Sequence, residues 1–220
     1  AEGMVSLSDL FKVNTCLKKV DLYNSLLGNA GAITLSEALK VNNSIQELNL
    51  KRNEIGDEGF VALSQAIKIN TSITNIDLGS NEEGDQGMIA LSDALKVNTS
   101  LLVIDLSVNE KGVEGMIAFS EAMKINTSLQ ELILHTSSIV DEAIIALADA
   151  LKINTSIQEI DLLDNQIESK GIIALSQVFK VNTNLAVINL DWNKLGDKGI
   201  SDLSEGLKNN TTLKKISLVG

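Results

Sequence analysis

The sequence predicts a curved α/β solenoid, and three observations carry that prediction. One string, "KVNNSIQELNLKRNEI" from Lys40, returns as "KINTSITNIDLGSNEE" from Lys68 and "KINTSIQEIDLLDNQI" from Lys152, with variants from Lys96, Lys124 and Lys180. Its spacing is constant: Leu17, Ile45, Ile73, Leu101, Leu129, Ile157, Leu185 and Leu213 follow one another at intervals of 28 residues (45 − 17, 73 − 45, and so on). Each copy holds one short alternating apolar stretch and one longer stretch of helical periodicity; such a unit cannot bury its own apolar face, so neighbours stack and share a core.

Within a unit the strand comes first. Ile45, Leu48 and Leu50 are apolar, and the alternation of the last two marks a short strand with one face buried. An asparagine follows at the ninth position (Asn53, Asn81, Asn109, Asn165, Asn193), where a buried amide satisfies backbone groups freed by a bend. The turn "EIGDEG" comes next. Its glycines are expected at positive φ, and Asp57 and Glu58 are expected to cap and charge the start of the following helix. The helix "FVALSQAIK" buries Leu63, Ala66 and Ile67 and ends on Lys68, a cation beside the terminal carbonyls that recurs at Lys12, Lys40, Lys96, Lys124, Lys152, Lys180 and Lys208. Strands pair in parallel, and the bulkier helices bend the stack so that strands line the concave surface and helices the convex one. The expected organisation is a single domain: a helix half-repeat (1–15), seven 28-residue repeats (16–211) and a terminal strand (212–220).

The pattern L-x-x-L-x-L-x-x-N resembles the leucine-rich repeat signature, and the unit with "IGDEG" followed by "ALSxALKxNTSL" resembles the ribonuclease-inhibitor-like subfamily. The resemblance implies a right-handed horseshoe arc and a role in protein recognition. It also brings in two runner-up functions, a small-GTPase activator and the sensing domain of a larger receptor. Arg52, the one arginine, is the residue a GTPase activator would use, although "LKRNEIG" around it is an ordinary repeat turn.

Composition narrows the partner. A net charge of −11 and a pI near 4.6 exclude nucleic acid and anionic membrane surfaces and favour a basic protein. No apolar run approaches the roughly 18 to 20 residues that span a bilayer. One cysteine, Cys16, excludes an internal disulfide framework, and N-x-S/T sequons at Asn42, Asn70, Asn98, Asn126, Asn154, Asn209 and Asn210 fall on turns that a glycan would crowd; both point to the cytoplasm. Catalytic chemistry has little to work with. His135 is the only histidine, no phosphate-binding glycine motif occurs, and "DLGSNEEGDQG" has Glu82 where a calcium loop needs glycine, so no enzyme activity, metal or cofactor is expected.

Function is therefore sought on the outward positions of the strands, the third, fifth, seventh and eighth of each unit. The fifth reads Asp21, Asn49, Asp77, Asp105, Ile133, Asp161, Asn189 and Ser217, an acidic ladder broken at Ile133. From the fourth unit onward the outward residues turn apolar and acidic: Val103, Val108, Glu131, Ile133, His135, Glu159, Asp161, Leu163, Asp164, Val187, Asp191 and Trp192 are the expected partner contacts, with Trp192 as anchor and the carboxylates steering. Three further expectations concern structure. Glu83 and Lys111 replace apolar residues in adjacent units and are read as a compensating ion pair across the stack, worth at most about 1 kcal/mol where exposed; "SSIVDEA" after Ser137 is expected to bend differently from its counterparts; and ends without polar caps allow end-to-end self-association, the third reading of function being an architectural array.

Overall fold

A computed structural model describes residues 2–109 and 112–220. Helices and strands alternate along the described chain: α1 (Glu2–Val13), β1 (Lys19–Asp21), α2 (Gly28–Leu39), β2 (Glu47–Asn49), α3 (Asp57–Ile69), β3 (Asn75–Asp77), α4 (Asp85–Leu95), β4 (Val103–Asp105), α5 (Val113–Met123), β5 (Glu131–Ile133), α6 (Asp141–Leu151), β6 (Glu159–Asp161), α7 (Ser169–Val181), β7 (Val187–Asn189), α8 (Gly196–Leu207) and β8 (Lys215–Ser217). The strands form one parallel sheet in chain order, and each residue pairs with the one 28 later: Leu48 with Ile76, Ile76 with Ile104, Ile104 with Leu132. Every helix packs on the helices before and after it. The fold is the curved solenoid expected from the period.

The middle residue of each three-residue strand points into the space between the layers and meets the helical stripe there. Leu48, Leu50 and Ile55 from one unit pack with Leu63, Ala66 and Ile67 from its helix, all buried in one core that runs the length of the array. Each such leucine or isoleucine contributes about 1.5–3 kcal/mol on burial. The core thins at the last strand, where Leu213 and Ile216 are half-buried while their counterparts Leu185 and Ile188 are buried.

Two asparagine ladders knit the units together, one at each end of the strands. Asn53 donates from Nδ2 to the carbonyls of Leu22 (2.8 Å) and Leu50 (2.9 Å), and its Oδ1 accepts from the Ser25 and Leu27 amides of the preceding unit. Asn70, just past the end of α3, donates to Leu39 and Asn42 carbonyls (both 2.8 Å) and accepts from Ser72 and Ile73 amides. The second ladder satisfies helix-end carbonyls that have no partner in their own helix. It also occupies the sequon asparagines: Asn42, Asn70, Asn98, Asn126 and Asn154 are buried with both amide atoms bonded.

Helix starts are capped across the units rather than within them, which corrects the expected role of Asp57. Its Oδ1 accepts from the Gly84 and Gly87 amides, both at 2.8 Å, at the start of α4. Asn29 does the same for α3 through the Gly56 and Gly59 amides, and Asp85 reaches the Gly115 amide of α5. Glycine at 87 follows from this approach, since a Cβ there would lie 2.8 Å from Phe60 Cβ and 2.9 Å from the Asp57 carboxylate.

Three other expectations concern the turns. At the turn glycine the positive φ holds for Gly28 and Gly196, at 56° and 62°, but not for Gly56 and Gly84, at −94° and −109°; the eighth position, Asn24, Arg52, Ser80, Val108, Thr136, Asp164 and Trp192, is left-handed throughout, where the chain turns on leaving the strand. The turn after Ser137 follows the path of the first two units, Asn24/Leu26 and Arg52/Glu54, and differs from the turns at Ser80, Asp164 and Trp192, where the residue two further on is not left-handed. Thr136 and Ser138 take φ of 53° as Arg52 and Glu54 take 58° and 55°, because Asn165 of the next unit holds the Ser137 and Ile139 amides. Glu83 is buried, 3% exposed, and Lys111, with which it is expected to pair, lies outside the described residues.

Candidate functional site

The outward grid of the sheet is fixed by register, so its chemistry can be mapped row by row. At the fifth position the carboxylates and amides serve the backbone first. Asp21, Asn49, Asp77, Asp105, Asp161 and Asn189 each accept from the amide two residues on, at 2.8–3.1 Å, closing the turn at the strand's end. The acidic ladder is thus a turn device as well as a source of charge, and Asp161 among the expected contacts has this structural duty. At the eighth position the left-handed backbone lifts the side chain off the sheet, leaving Trp192 63% and Val108 41% exposed. A branched or bulky residue at positive φ is strained, and Val108 and Trp192 are of that kind.

Four of the expected apolar residues fall on one line. Val103 pairs with Glu131 and Asp105 with Ile133, so Ile133 sits one strand over and two residues along from Val103. Ile133 pairs with Asp161, so Leu163 repeats that step, and Trp192 follows beside Asp164 one strand further. The line crosses four strands obliquely, about 8 Å per full step at ordinary strand spacings. Acids flank it: Asp77 and Asp105 on one side, Glu131, Glu159 and Asp161 on the other. Burial pushes the Asp77 carboxyl above its ordinary value, and Asp105 adds to the effect; burial likewise raises Glu131, with Glu159 and then Asp105 contributing. Val187 lies on the outer flank, paired with Glu159.

Three expected contacts are engaged elsewhere. Asp191 holds the terminal strand, accepting from Ser217 Oγ at 2.8 Å and the Val219 amide at 2.6 Å. His135 Nδ1 lies 3.3 Å from Thr136 Oγ1, which donates to Asp164 Oδ2 at 3.3 Å. Arg52 stacks 5.9 Å from the Tyr23 ring centroid.

The concave depression reaches further toward the N-terminus than the sequence indicated. A groove of about 300 Å³ runs over β1 to β5, and of the expected contacts only Val103 and Ile133 line it. Its other walls include Asn75, Asp77 and Asp105. Lys51 reaches 3.7 Å from Asp105 two strands away, passing Gly79, which carries no side chain in the intervening row. Lys19 and Glu47 form an exposed pair at 2.9 Å. Asp77 and Asp105 are site residues that the sequence showed only as part of a ladder. Among the described residues no three His, Cys, Asp or Glu side chains gather to hold a metal, and no helix is long and apolar enough to cross a membrane.

The repeat architecture and the paired strands set the terms for comparison with known proteins. The family described as "Leucine Rich repeat" matches in four stretches, residues 41–64, 70–92, 154–176 and 181–204. The chain is a leucine-rich repeat protein. No curated protein sequence matches it. Solved structures similar to this leucine-rich repeat protein include "Leiomodin-1 Actin-Binding Site 2 (ABS2)", 20% identical with a TM-score of 0.58, covering 70% of this chain and 88% of that one. A tropomodulin C-terminal domain from Caenorhabditis elegans is also 20% identical with a TM-score of 0.58, covering 69% and 92%. At that identity the likeness is one of fold.

Proposed function

We propose that this leucine-rich repeat protein is a non-enzymatic protein-interaction module whose concave face, from β4 to β7, takes a partner with a basic surface. The observation that carries the reading is the oblique line Val103, Ile133, Leu163 and Trp192 between two banks of carboxylates. An exposed Trp192 beside the half-buried Val103, Ile133 and Leu163 supplies the anchor of an interface, and a carboxyl such as Glu131, whose proton affinity burial and its acidic neighbours raise, gains from an incoming cation. The similar structure named as an actin-binding site is itself a binding module, which supports the general class and leaves the partner of this chain to its own surface chemistry. A cytoplasmic setting agrees with buried sequon asparagines and a single cysteine.

The test is capture from a lysate of the native source on immobilised wild type, on Trp192→Ala/Leu163→Ala, and on Glu131→Gln/Glu159→Gln. A protein held by the wild type, lost by the first variant by about 30-fold or more, and weakened by the second and by salt is the expected result. A protein held equally by all three would move the site off the concave face. Arg52→Ala is the control for the GTPase-activator alternative and should leave binding unchanged.

A further inference from the structure

The residue between the lysine that ends each helix and the buried asparagine of the second ladder is valine or isoleucine in seven consecutive units: Val13, Val41, Ile69, Val97, Ile125, Ile153 and Val181. The fold does not bury them. They are 55–77% exposed, and because the asparagine beside each points into the array, they project from the side of the solenoid where helices end and strands begin. Isolated apolar residues are ordinary on protein surfaces, but an uninterrupted row through the array is an exposed patch of the kind that marks an interface.

We propose that this row is a self-association face and that its occupant is the same row of a second copy, related by a two-fold axis through Val97. Three features favour a second copy. The row is uniform, with one chemistry at one spacing, so it offers a dissimilar partner nothing to select but is complementary to itself. It is symmetric about its centre: a two-fold axis at Val97 sets Val13 against Val181, Val41 against Ile153 and Ile69 against Ile125. It also carries little of the molecule's negative charge: the adjoining Lys12, Lys40, Lys96, Lys124 and Lys152 are each paired with one acid of their own helix, and Lys68 and Lys180 stand three residues after glutamines, Gln65 and Gln177, rather than acids.

The area is of the right order. Full burial of a valine or isoleucine removes roughly 60–120 Å² from water, so the exposed part of seven such side chains comes to about 400 Å² per copy. A standard interface buries about 800 Å² per partner, and the exposed threonines beside the row, such as Thr71 and Thr99, with the lysine stems, supply the remainder. An isologous contact of this kind closes on two copies. It leaves both concave faces open, so it is independent of the function proposed above.

Sedimentation of the full chain from micromolar to millimolar-range concentration, at low and high salt, tests the proposal together with disulfide trapping in a Cys16→Ser background. A dimer that strengthens with salt is expected, since screening relieves repulsion between two molecules of net charge −11. Ile69→Asp/Ile125→Asp should abolish it while the variant stays folded by circular dichroism, and the uncharged Ile69→Gln/Ile125→Gln should weaken it by about tenfold or more with the thermal midpoint unchanged at concentrations where the wild type is monomeric. Val97→Cys should cross-link to itself, whereas Val41→Cys should not, because its opposite number is residue 153. A single monomer mass at every concentration overturns the proposal, as does equal trapping at 41 and 97. A series of ever larger species would also overturn it, by pointing to end-to-end pairing of strand edges.

Discussion

Asp77 shows what a single residue does on the concave face. Its carboxylate closes a turn on the Gly79 amide, yet burial and Asp105 raise its proton affinity. An acid whose pKa is raised on folding opposes folding while ionised. That opposition is present at neutral pH and is relieved as pH falls through the folded-state value toward the ordinary 3.8, so these groups make the protein more stable on mild acidification. Asparagine performs the same turn function at Asn49 and Asn189. Asp77→Asn is therefore expected to raise the thermal midpoint at neutral pH, with an advantage that shrinks as pH falls; an advantage independent of pH would mean the carboxylate charge is not the cause. Ser137 provides a second case. It stands where five other units carry the ladder asparagine, and its hydroxyl donates to the His135 carbonyl at 3.1 Å. Ser137→Asn should add bonds to the Leu106 and Leu134 carbonyls, as Asn165 bonds Leu134 and Leu162, and should stabilise by about 1–2 kcal/mol in denaturant unfolding.

At the scale of the element, helices depend on neighbours for their ends. Asp57→Ala removes two bonds from the start of α4, not α3, and should cost about 1–2 kcal/mol. Hydrogen exchange locates the effect: the Gly84 and Gly87 amides should lose protection while the first turn of α3 keeps it. The elements themselves were legible from the sequence because a constant interval of 28 places each apolar residue by comparison with its copies. Their connections were less so. Asp57 reads as an ordinary acidic first turn, and nothing local shows that its partners lie 27 and 30 residues later. The fifth-position acids look like a charge ladder until the turn geometry shows their bond to the backbone. Val41 and its counterparts read as core on composition alone, and only the inward orientation of Asn42 and the rest of the second ladder reveals that they face out. Of the expected contacts, the oblique apolar line could be read from strand register, whereas the engagement of Asp191 with the terminal strand could not.

For the whole molecule, charge and connectivity act in opposite directions. A net charge of −11 repels itself, so the thermal midpoint should rise between low and physiological salt; a flat profile would show the acids already neutralised locally, as the paired lysines suggest for the helical layer. Among the described residues helices and strands touch only those of adjacent units, through a strand pair, a helix pair and the asparagine ladders, and the Lys51–Asp105 pair is a side-chain contact that reaches past one unit. Such an arrangement gives the molecule a mechanical grain. Pulled by its two ends, it should lengthen in equal increments as single units peel away, each releasing 28 residues, or about 95 Å of extended chain. The first and fifth units, with Ser25 and Ser137 in place of the ladder asparagine, should yield at lower force than their neighbours, so the solenoid behaves as a spring of matched links with a weak one at its end and another in its middle.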